Sequence, residues 1–342
     1  MLFLFIITLL LSIVLVFFLI QYASSLGLVA IPNERSSHKK VTPCGAGIAF
    51  FSSVIISTLL YGSSIYDSYP LLVSAFFMVF GIGIYDDYRQ TASQTKFLVI
   101  IVAALFVYID GIGIHSLGNY FGHNVFLSWM ALPVTLLAIV GFTNALNLSD
   151  GLDGLAGSIC LVIITGLGYI GWVNDNIFMI YVSIVLFSSL LGFMWFNWNP
   201  AKVFMGDSGS LTLGFMIAVL SIQALAYVTP VSILFIAAIP ILDTVIVMMR
   251  RKKHKCSMVN ADKNHLHHIL LDVFSGSVKK TVLFIASVQL FFTVLGIFFI
   301  NHVGQEFTLP LFFGFLFLFY WLIEKVCAKV NRPFFVADEG RV

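Results

Sequence analysis

The sequence predicts an all-α, polytopic integral membrane protein, and three observations support that fold class. The first is composition: 60% of the 342 residues are hydrophobic and only 10% are charged, with a mean hydropathy of +1.02. A soluble chain of this length could not cover its surface with so few charges. The second is a series of long apolar segments, and the third is a one-sided distribution of basic residues.

Long apolar segments recur along the whole chain. A helix needs about 20 consecutive, mostly apolar residues to cross the hydrocarbon core of a bilayer. Eleven segments approach that length, so we expect about eleven transmembrane helices in one polytopic membrane domain covering residues 1–342. The segments are residues 1–22, 45–61, 69–85, 97–112, 126–144, 155–172, 177–196, 209–227, 231–249, 281–301 and 308–325.

The basic residues lie on one side of the predicted bundle. When the chain is threaded back and forth, all 18 Lys and Arg residues fall in alternate loops and in the carboxy-terminal tail. Because such loops stay in the cytoplasm, we expect a multi-pass protein of the inner (plasma) membrane, with its amino terminus outside and its carboxy terminus inside. The basic residues thus mark topology, and we expect no nucleic acid as a partner. The loops expected to form a cytoplasmic active site are 23–44, 86–96, 145–154, 197–210 and 250–280.

Two adjacent carboxylates, Asp86 and Asp87, stand at the end of the third segment. Like charges at a membrane edge repel each other, so the pair indicates either a solvated helix end or a functional site. A hard-cation site fits because Mg²⁺ takes one or two carboxylates together with substrate phosphates. Lys96 follows at the start of the fourth segment, where a basic side chain and a helix amino terminus together suit a phosphate. A plain membrane anchor would use the same residue type.

Amides and carboxylates follow the fifth segment in a regular pattern. Asn144 and Asn147 are three residues apart and therefore share a helix face. Asp150 and Asp153 repeat this spacing, beside glycines that let the backbone approach a ligand. The alternate ligands and the terminal Glu of a Ca²⁺ loop are missing. Two interpretations stay open: Asp150 caps the sixth helix, or the four side chains bind a ligand.

The sequence Gly-Asp-Ser-Gly-Ser at 206–210 leads into the eighth segment. It fits a plain helix N-cap, and it also fits an anion site made of free amides at a helix start. Asp207 could contact a phosphate only through a metal ion. We therefore group Asp207 with Asp86 and Asp87 in one hypothetical Mg²⁺ site.

Three histidines follow the ninth segment: His265, His267 and His268. They are compatible with zinc, with hydrogen bonds to a diphosphate, or with a plain loop. No neighbouring Glu or Cys completes a tetrahedral zinc set, and the chain has no HExxH motif. The Arg and Lys residues around the histidines favour the diphosphate.

Together these motifs resemble those of the polyprenyl-phosphate N-acetylhexosamine-1-phosphate transferase family (glycosyltransferase family 4). The matching features, spread over roughly residues 30 to 270, are DD at 86–87, NALNLSDGLDGLAG, VFMGDSGS, and PILDTVIVMMRR followed by DKNHLHH. The last pattern and the span number look like the WecA/TagO-like branch. RSSH at 35–38 and TPCGAG at 42–47 are similar to an RSSH…TPRGGG loop, but Cys44 and Ala46 replace an arginine and a glycine.

The resemblance implies a reaction. Members transfer a sugar 1-phosphate from a UDP-sugar to undecaprenyl or another polyprenyl phosphate, release UMP, and need Mg²⁺, for which Mn²⁺ is a candidate substitute. UDP-N-acetylglucosamine is one of several UDP-N-acetylhexosamines that fit. The product would start a lipid-linked cell-envelope glycan such as the O-antigen of lipopolysaccharide, a teichoic acid or an enterobacterial-type polysaccharide. The expected partners are the UDP-sugar, the polyprenyl phosphate and the bilayer, with a homodimer as a further candidate.

The resemblance also assigns roles residue by residue. Asp86, Asp87 and Lys96 match catalytic positions, and the lysine would contact a phosphate. Asn147 and Asp207 match metal-binding positions. The matches to substrate-binding positions, near the nucleotide, the diphosphate or the sugar, are Asn144, Asp150, Asp153, His265, His267 and His268.

Charge explains why such a site needs cations. Both reactants are anions, so Mg²⁺, Lys96 and the histidines would offset their repulsion and help to align the attacking oxygen. Asp86 or Asp87 is a candidate general base, although a phosphate with a pKa near ~6 is already mostly ionised at neutral pH.

Two alternatives to this transferase function remain. The histidine pattern disfavours an MraY-type phospho-MurNAc-pentapeptide transferase, and a secondary transporter would place its carboxylates near mid-bilayer in two related halves.

Overall fold

In the computed structural model, which describes residues 1–31, 41–62, 68–253 and 265–329, α-helices account for most of the described chain. The all-α prediction is therefore confirmed. The helices are α1 Leu2–Leu26, α2 Ala46–Tyr61, α3 Pro70–Tyr88, α4 Ser93–Ile109, α5 Ala131–Ser149, α6 Leu155–Val173, α7 Ile177–Asn197, α8 Asp207–Ala224, α9 Pro230–Ile236, α10 Ala238–Lys253, α11 Leu266–Val273, α12 Val278–His302 and α13 Gln305–Lys329.

Four short strands, which the sequence pattern did not predict, form two antiparallel sheets. Strand β1 (Val29–Ala30) pairs with β2 (Thr42–Pro43), and β3 (Ser116–Tyr120) pairs with β4 (His123–Phe126). The second sheet is a hairpin whose turn includes Gly122 at φ +83°, a backbone conformation that glycine adopts without strain. The hairpin lies between α4 and α5.

The helices match the predicted apolar segments closely. Eight of the described helices are long and apolar enough to cross a membrane, and the bent pair α9 and α10 would count as a ninth. Two further apolar helices, α2 and α4, are shorter. The chain therefore has the character of a multi-pass membrane protein.

The fifth predicted segment is displaced along the chain. Helix α5 ends five residues beyond the predicted 126–144, because β4 and a 3₁₀ turn at Ser128–Met130 occupy the predicted start. Asn144 and Asn147 consequently lie in the last turns of α5. The prediction that places residues 145–149 in a loop was wrong.

The ninth predicted segment, 231–249, consists of two helices rather than one. Helices α9 and α10 meet at a bend of 89°. Pro240 accounts for the break: its ring clashes with the carbonyl four residues earlier, that of Ile236, and it has no N–H to donate to that carbonyl. Helix α9 accordingly ends at Ile236. The prediction of one continuous span was wrong.

Helix α8 lies at the centre of the bundle and is almost entirely buried. Glycines on its neighbours permit a close approach to its first turn. A Cβ at Gly47 of α2 would overlap the backbone of Gly209, and a Cβ at Gly83 of α3 would lie 2.5 Å from the Cα of Ser208. The ends of α2 and α3 therefore meet the start of α8 directly.

Backbone hydrogen bonds join the segment before α2 to the segment before α8. The N–H of Phe204 donates to the carbonyl of Pro43 at 2.8 Å, and the N–H of Ala46 donates to the carbonyl of Phe204 at 3.1 Å. The N–H of Gly47 donates to the carbonyl of Met205 at 2.9 Å. These bonds hold the 206–210 motif against the start of α2.

Some predicted features lie outside the described residues. They include RSSH at 35–38 and residues 262–264, which precede the histidines. Cys44, which follows β2, is described and half-buried. Its backbone N–H donates to the carbonyl of Leu28 at 2.9 Å, which ties it to the end of α1.

Candidate active site

Lys96 bridges two carboxylates that come from different helices. Its Nζ lies 2.7 Å from Oδ2 of Asp207 and 3.2 Å from Oδ1 of Asp86. Thr91 holds Asp86 in place, because its backbone N–H donates to Oδ1 at 2.9 Å and its hydroxyl donates to the same atom. Lys96 and Asp207 are 111 residues apart in the chain. They meet because α3 ends, and α4 and α8 begin, at the same end of the bundle.

Asp87 contacts the first turn of α8. Its Oδ1 accepts a hydrogen bond from the N–H of Asp207 at 2.7 Å, and its Oδ2 accepts one from the N–H of Ser208 at 3.2 Å. The carboxylate thus caps a helix that has no side-chain cap of its own. Gly206 precedes this turn at φ +74°, and a Cβ there would lie 2.5 Å from Oδ1 of Asp87. The amides predicted to bind an external anion therefore bind the protein's own carboxylate.

Asn147 completes the polar group around Asp207. Its Nδ2 lies 3.1 Å from Oδ1 of Asp207 and 2.8 Å from Oγ of Ser210. The two oxygens of Asp207 therefore contact different partners, Lys96 on one side and Asn147 on the other. We call Asp86, Asp87, Lys96, Asn147 and Asp207 the acidic group.

Asp153 stands apart from the acidic group. Its Oδ2 accepts hydrogen bonds from Nδ2 of Asn199 at 2.8 Å and from the N–H of Ala201 at 3.0 Å. These contacts tie the start of α6 to the loop between α7 and α8. The observed contacts of Asp153 are thus structural, whereas the resemblance implies a position near the nucleotide.

Asp150 lies between α5 and α6, where the charges of other carboxylates affect its pKa. Burial, followed by the negative charges of Asp207, Asp87 and Asp153, raises the pKa of Asp150 to about 7. The interpretation of Asp150 as the cap of α6 was wrong, because the N-cap residue is Gly154 and no side chain caps that helix. Near neutral pH this carboxyl therefore exchanges between its two protonation states.

The histidines are organised by Asp243 of α10. Nδ1 of His265 lies 2.8 Å from Oδ2 of Asp243, and the N–H of Leu266 donates to Oδ1 of Asp243 at 2.8 Å. The rings of His265 and His267 are stacked at 5.8 Å, and those of His267 and His268 are 4.2 Å apart. Since Asp243 engages both the first ring and the first amide of α11, it sets where this histidine group begins.

One glycine brings the histidines close to the α5–α6 connection. A Cβ at Gly151 would overlap Nε2 of His267. The predicted role of this glycine, a close approach of the backbone, is therefore realised toward a side chain of the same protein. Through this contact the histidine group packs against the residues that follow α5.

A cavity of about 530 Å³ joins the acidic group to the histidines. Its lining includes residues of α4, α5, α10 and α11. Among the predicted site residues it includes Lys96, Asn144, Asn147, His265, His267 and His268. Asp207 does not need to line it to act there, since Lys96 and Asn147 both contact Asp207 directly. Six of the eleven predicted site residues thus line one cavity. Its lining does not include the five aspartates Asp86, Asp87, Asp150, Asp153 and Asp207.

The chemistry of the acidic group suits a hard cation. Within the described part of the chain, no cluster of three or more His, Cys, Asp or Glu side chains is arranged to hold a metal ion by itself. Mg²⁺ needs less than that, because it takes one or two carboxylates and fills its remaining positions with substrate phosphates and water. Asp207 and Asp86 already share one cation, the ammonium of Lys96. The carboxylate oxygens of Asp86 and Asp207 therefore fit the ligand set of Mg²⁺.

Sequence reasoning missed several contributors to the site. Thr91 positions Asp86, Ser210 accepts from Asn147, and Thr244 and Arg251 of α10 line the cavity. Arg251 had a signal, since it ends the PILDTVIVMMRR motif, but it was interpreted as a topology marker and as part of the basic surroundings of the histidines, and not as a site residue. Ser210 also had a signal, as the last residue of the 206–210 motif, whereas Thr91, in the loop between α3 and α4, carried none.

Known proteins are similar to this sequence. The model of a family described as glycosyl transferase family 4 matches residues 69–225. A probable undecaprenyl-phosphate N-acetylglucosaminyl 1-phosphate transferase of Bacillus subtilis (strain 168) is 34% identical over 92% of this chain and 88% of that protein.

Two further relatives are more distant. An undecaprenyl-phosphate alpha-N-acetylglucosaminyl 1-phosphate transferase of Escherichia coli O157:H7 is 27% identical over 92% of this chain and 89% of that protein. A decaprenyl-phosphate N-acetylglucosaminephosphotransferase of Mycobacterium tuberculosis (strain CDC 1551 / Oshkosh) is 30% identical over 77% of this chain and 73% of that protein. The region matched by the family model runs from α3 to α8 and so contains the acidic group.

Proposed function

This chain belongs to glycosyl transferase family 4, and we propose that it transfers an N-acetylhexosamine 1-phosphate from a UDP-sugar to a polyprenyl phosphate, with release of UMP. The observation that carries the proposal is the single cavity whose walls join Lys96 and Asn147 to three histidines. The descriptions of the three relatives name undecaprenyl or decaprenyl phosphate together with N-acetylglucosamine. UDP-N-acetylglucosamine is therefore the first donor to test.

We propose that the chain crosses the inner (plasma) membrane eleven times, with its amino terminus outside. This counts α2, α4 and the α9–α10 pair as spans alongside the eight longer helices. The one-sided distribution of the 18 basic residues supports this orientation. The cavity would then open toward the cytoplasm, where the soluble nucleotide sugar and the phosphate of the membrane-bound acceptor can both reach it.

We propose Mg²⁺ as the cofactor, with Mn²⁺ as a substitute. Asp207 and Asn147 would hold it, with Asp86 as a neighbouring carboxylate, because both carboxylates already face the ammonium of Lys96 and Asn147 contacts Asp207. When bound, the ion supplies the positive charge that offsets the charge developing on the transferred phosphoryl group.

The residues of the chain itself would bring two anions together. Lys96 provides a fixed ammonium at the cavity wall, and the histidines and Arg251 provide hydrogen-bond donors on the opposite element, α10–α11. Donors on both sides of the diphosphate would hold the donor phosphorus still, so that the acceptor oxygen can approach in line. The positive charges would also reduce the repulsion between the reactants.

Both adjacent carboxylates have contacts that bear on their suitability as a base. Both oxygens of Asp87 accept backbone hydrogen bonds from α8, which favours a role in fixing that helix. Oδ1 of Asp86 accepts from Thr91 and faces the ammonium of Lys96, contacts that stabilise the charged carboxylate, so neither aspartate is a strong proton acceptor. The need for a base is modest, because a phosphate monoester with a pKa near ~6 is largely ionised at neutral pH.

The product would be a polyprenyl diphosphate sugar that starts a cell-envelope glycan, such as an O-antigen, a teichoic acid or an enterobacterial-type polysaccharide. The proposal is tested with membranes that contain the chain and with matched membranes that lack it. Each is incubated with polyprenyl phosphate and one of a panel of radiolabelled UDP-N-acetylhexosamines or UDP-MurNAc-pentapeptide. Labelled lipid and UMP are then measured with EDTA, Mg²⁺ or Mn²⁺.

We expect labelled lipid and an equal amount of UMP from a UDP-N-acetylhexosamine in Mg²⁺, and neither product in EDTA. Label transferred only from UDP-MurNAc-pentapeptide would replace the proposal with the MraY-type reaction. Uptake or counterflow of the UDP-sugar without any lipid product would make the chain a transporter instead. Full transfer in EDTA would remove the metal from the proposal but leave the transfer reaction.

A further inference from the structure

The break between α9 and α10 leaves backbone groups without helical partners in a buried region. In a continuous helix the carbonyl of Ile236 would accept from residue 240, but Pro240 has no N–H. The N–H of Ile239 lies in the first turn of α10, where no intrahelical acceptor exists. Ile236 is fully buried and Ile239 nearly so. Such groups are strongly unfavourable unless another part of the protein satisfies them.

A single side chain from α12 satisfies both. Oε1 of Gln289 accepts from the N–H of Ile239 at 3.0 Å, and Nε2 of Gln289 donates to the carbonyl of Ile236 at 2.7 Å. Thr293, one turn further along α12, donates its hydroxyl to the same carbonyl at 3.2 Å and accepts from Nε2 of Gln289 at 3.0 Å. Gln289 is itself completely buried.

This arrangement depends on the chemistry of an amide. A side-chain amide carries a donor and an acceptor at fixed separation, so one residue can serve the end of α9 and the start of α10 together. An apolar side chain of equal size would leave the N–H of Ile239 without this acceptor, and the carbonyl of Ile236 with only the hydroxyl of Thr293. The two bonds therefore fix the direction of α10 relative to α9.

The direction of α10 determines where half of the cavity wall lies. Asp243, one turn after Ile239, positions His265 and the start of α11. Thr244 and Arg251 of the same helix line the cavity. A change in tilt at the break would move all of these side chains together.

The far end of α10 contacts α13: Nη2 of the buried Arg250 lies 3.7 Å from Sγ of Cys327. Nζ of Lys253 lies 2.7 Å from Oε1 of Glu324 on α13, but the lysine side chain is 54% exposed. Exposed ion pairs of this kind contribute little. Both ends of α10 are therefore held by neighbouring helices, and the contacts at the break fix its start.

We propose that Gln289 is a positioning residue: by bonding both sides of the Pro240 break, it sets the direction of α10 and thereby the placement of the histidine group on the cavity wall. Its kinetic consequence rests on the proposed transferase function, but its geometric consequence does not. The experiment therefore includes one measurement that needs no activity.

Three variants separate positioning from general stability. Gln289→Leu removes both bonds at similar volume. Gln289→Glu is the conservative variant, because a buried carboxyl is protonated and so keeps one donor and one acceptor. Gln223→Leu is the matched control: Gln223 also lies on a membrane helix, but its amide contacts Tyr69 at 3.3 Å and not α10. Thr293→Val is the milder variant if Gln289→Leu does not accumulate.

The geometric measurement uses spin labels in the otherwise complete chain. Cysteines replace Leu148 of α5 and Met248 of α10, which both line the cavity, after the four native cysteines have been substituted. We expect Gln289→Leu to shift or broaden the distribution of label distances. Gln289→Glu and Gln223→Leu should retain the parent distribution. An unchanged distribution in Gln289→Leu would overturn the proposal, whatever the activity of the protein.

The kinetic measurement uses UDP-N-acetylglucosamine and polyprenyl phosphate. A displacement near 1 Å can cost on the order of 10²-fold, so we expect a loss of that order in kcat/KM for Gln289→Leu and recovery in Gln289→Glu. In a His265→Ala background the same change should cost little more, because the two residues act through one arrangement. Losses that multiply in the double variant would overturn the proposal. If no variant or parent transfers sugar, the proposed function fails, and the label distances still decide the positioning role.

Discussion

The acidic group, through Lys96 and Asn147, and the histidine group border the same cavity but are built differently. The acidic group sits where four helices begin or end, and each carboxylate contacts a residue of another helix or of an adjoining turn. Close contacts at Gly47 and Gly83 hold those helix ends together. The histidine group depends on one helix that starts at a sharp bend, and on one carboxylate, Asp243, that reaches its first residue.

This difference determines how far a substitution should act. A change within the acidic group removes a charge from a frame that remains in place, so its effect should be chemical. The position of the histidine group depends on a few polar contacts. A change there should therefore displace its side chains within the cavity and leave the charges of the acidic group in place. Charge loss at the reacting centre generally costs more than imperfect placement of a supporting residue.

The largest effect should come from the acidic group. Asp207→Asn keeps an oxygen for Lys96 but removes the negative charge that would hold a cation, so we expect transfer to fall on the order of 10³-fold. The rate of labelled lipid formation in Mg²⁺ measures this. Asp175→Asn is the control, because Asp175 is exposed and distant from the cavity. Turnover near that of the wild type in Asp207→Asn would rule out the metal assignment.

A smaller loss should follow from Asp243→Asn. The amide oxygen can still accept from Leu266, but His265 loses its carboxylate partner. Outer partners of this kind typically change activity by about 10- to 100-fold. The same assay measures it, with His265→Ala as the comparison. If Asp243→Asn were as damaging as Asp207→Asn, the distinction between a chemical group and a positioned group would be lost.

A third effect concerns pH and should be seen in stability. The folded-state pKa of Asp150 is about 7, whereas an unfolded Asp titrates near ~4. Between these values the folded state binds more protons than the unfolded state, so the contribution of Asp150 is present below about pH 4 and is lost as pH rises toward about 7. The apparent Tm is therefore measured in EDTA at about pH 5 and about pH 7.5, which spans this window. Over this range the Tm of the wild type should fall more than that of Asp150→Asn. Parallel curves would contradict the raised pKa.

The smallest effect should come from Asp153, which lies outside both groups. Asp153→Asn retains an acceptor for Asn199 and Ala201, so we expect a loss of about 0.5–1.5 kcal/mol in stability and an unchanged KM for the nucleotide sugar. The apparent Tm and the donor titration measure the two quantities. A large rise in KM with an unchanged Tm would instead place Asp153 at the nucleotide, as the family resemblance implies.

Much of the helical architecture could be predicted from hydropathy alone. Each apolar segment of the sequence contains a helix, because a bilayer demands satisfied backbone groups over a fixed length. The pattern could not reveal the β3–β4 hairpin, whose residues alternate too weakly to stand out from a polar loop. The α9–α10 break had a visible cause in Pro240, but hydropathy is averaged over many residues and does not register a single proline.

The acidic group was predictable for a different reason. Asp86 and Asp207 are far apart in sequence, and two arguments place them together. Basic loops share one side of the membrane, and Asp207 could contact a phosphate only through a metal ion held with other carboxylates. What the two adjacent carboxylates do could not be inferred from their spacing. Asp87 caps α8 because Gly83 and Gly206 allow that helix to come close, and such contacts depend on tertiary packing.

The central position of α8 has a consequence for how the protein is made. This helix is the least apolar of the eight long ones and also the most enclosed. Its surrounding helices, α2, α3, α5 and α6, all precede it in the chain and so leave the ribosome first. Ser208, Ser210 and Thr212 are buried along this helix, so its transfer into lipid alone is weakly favourable. Its stable insertion therefore depends on helices that are already in the bilayer.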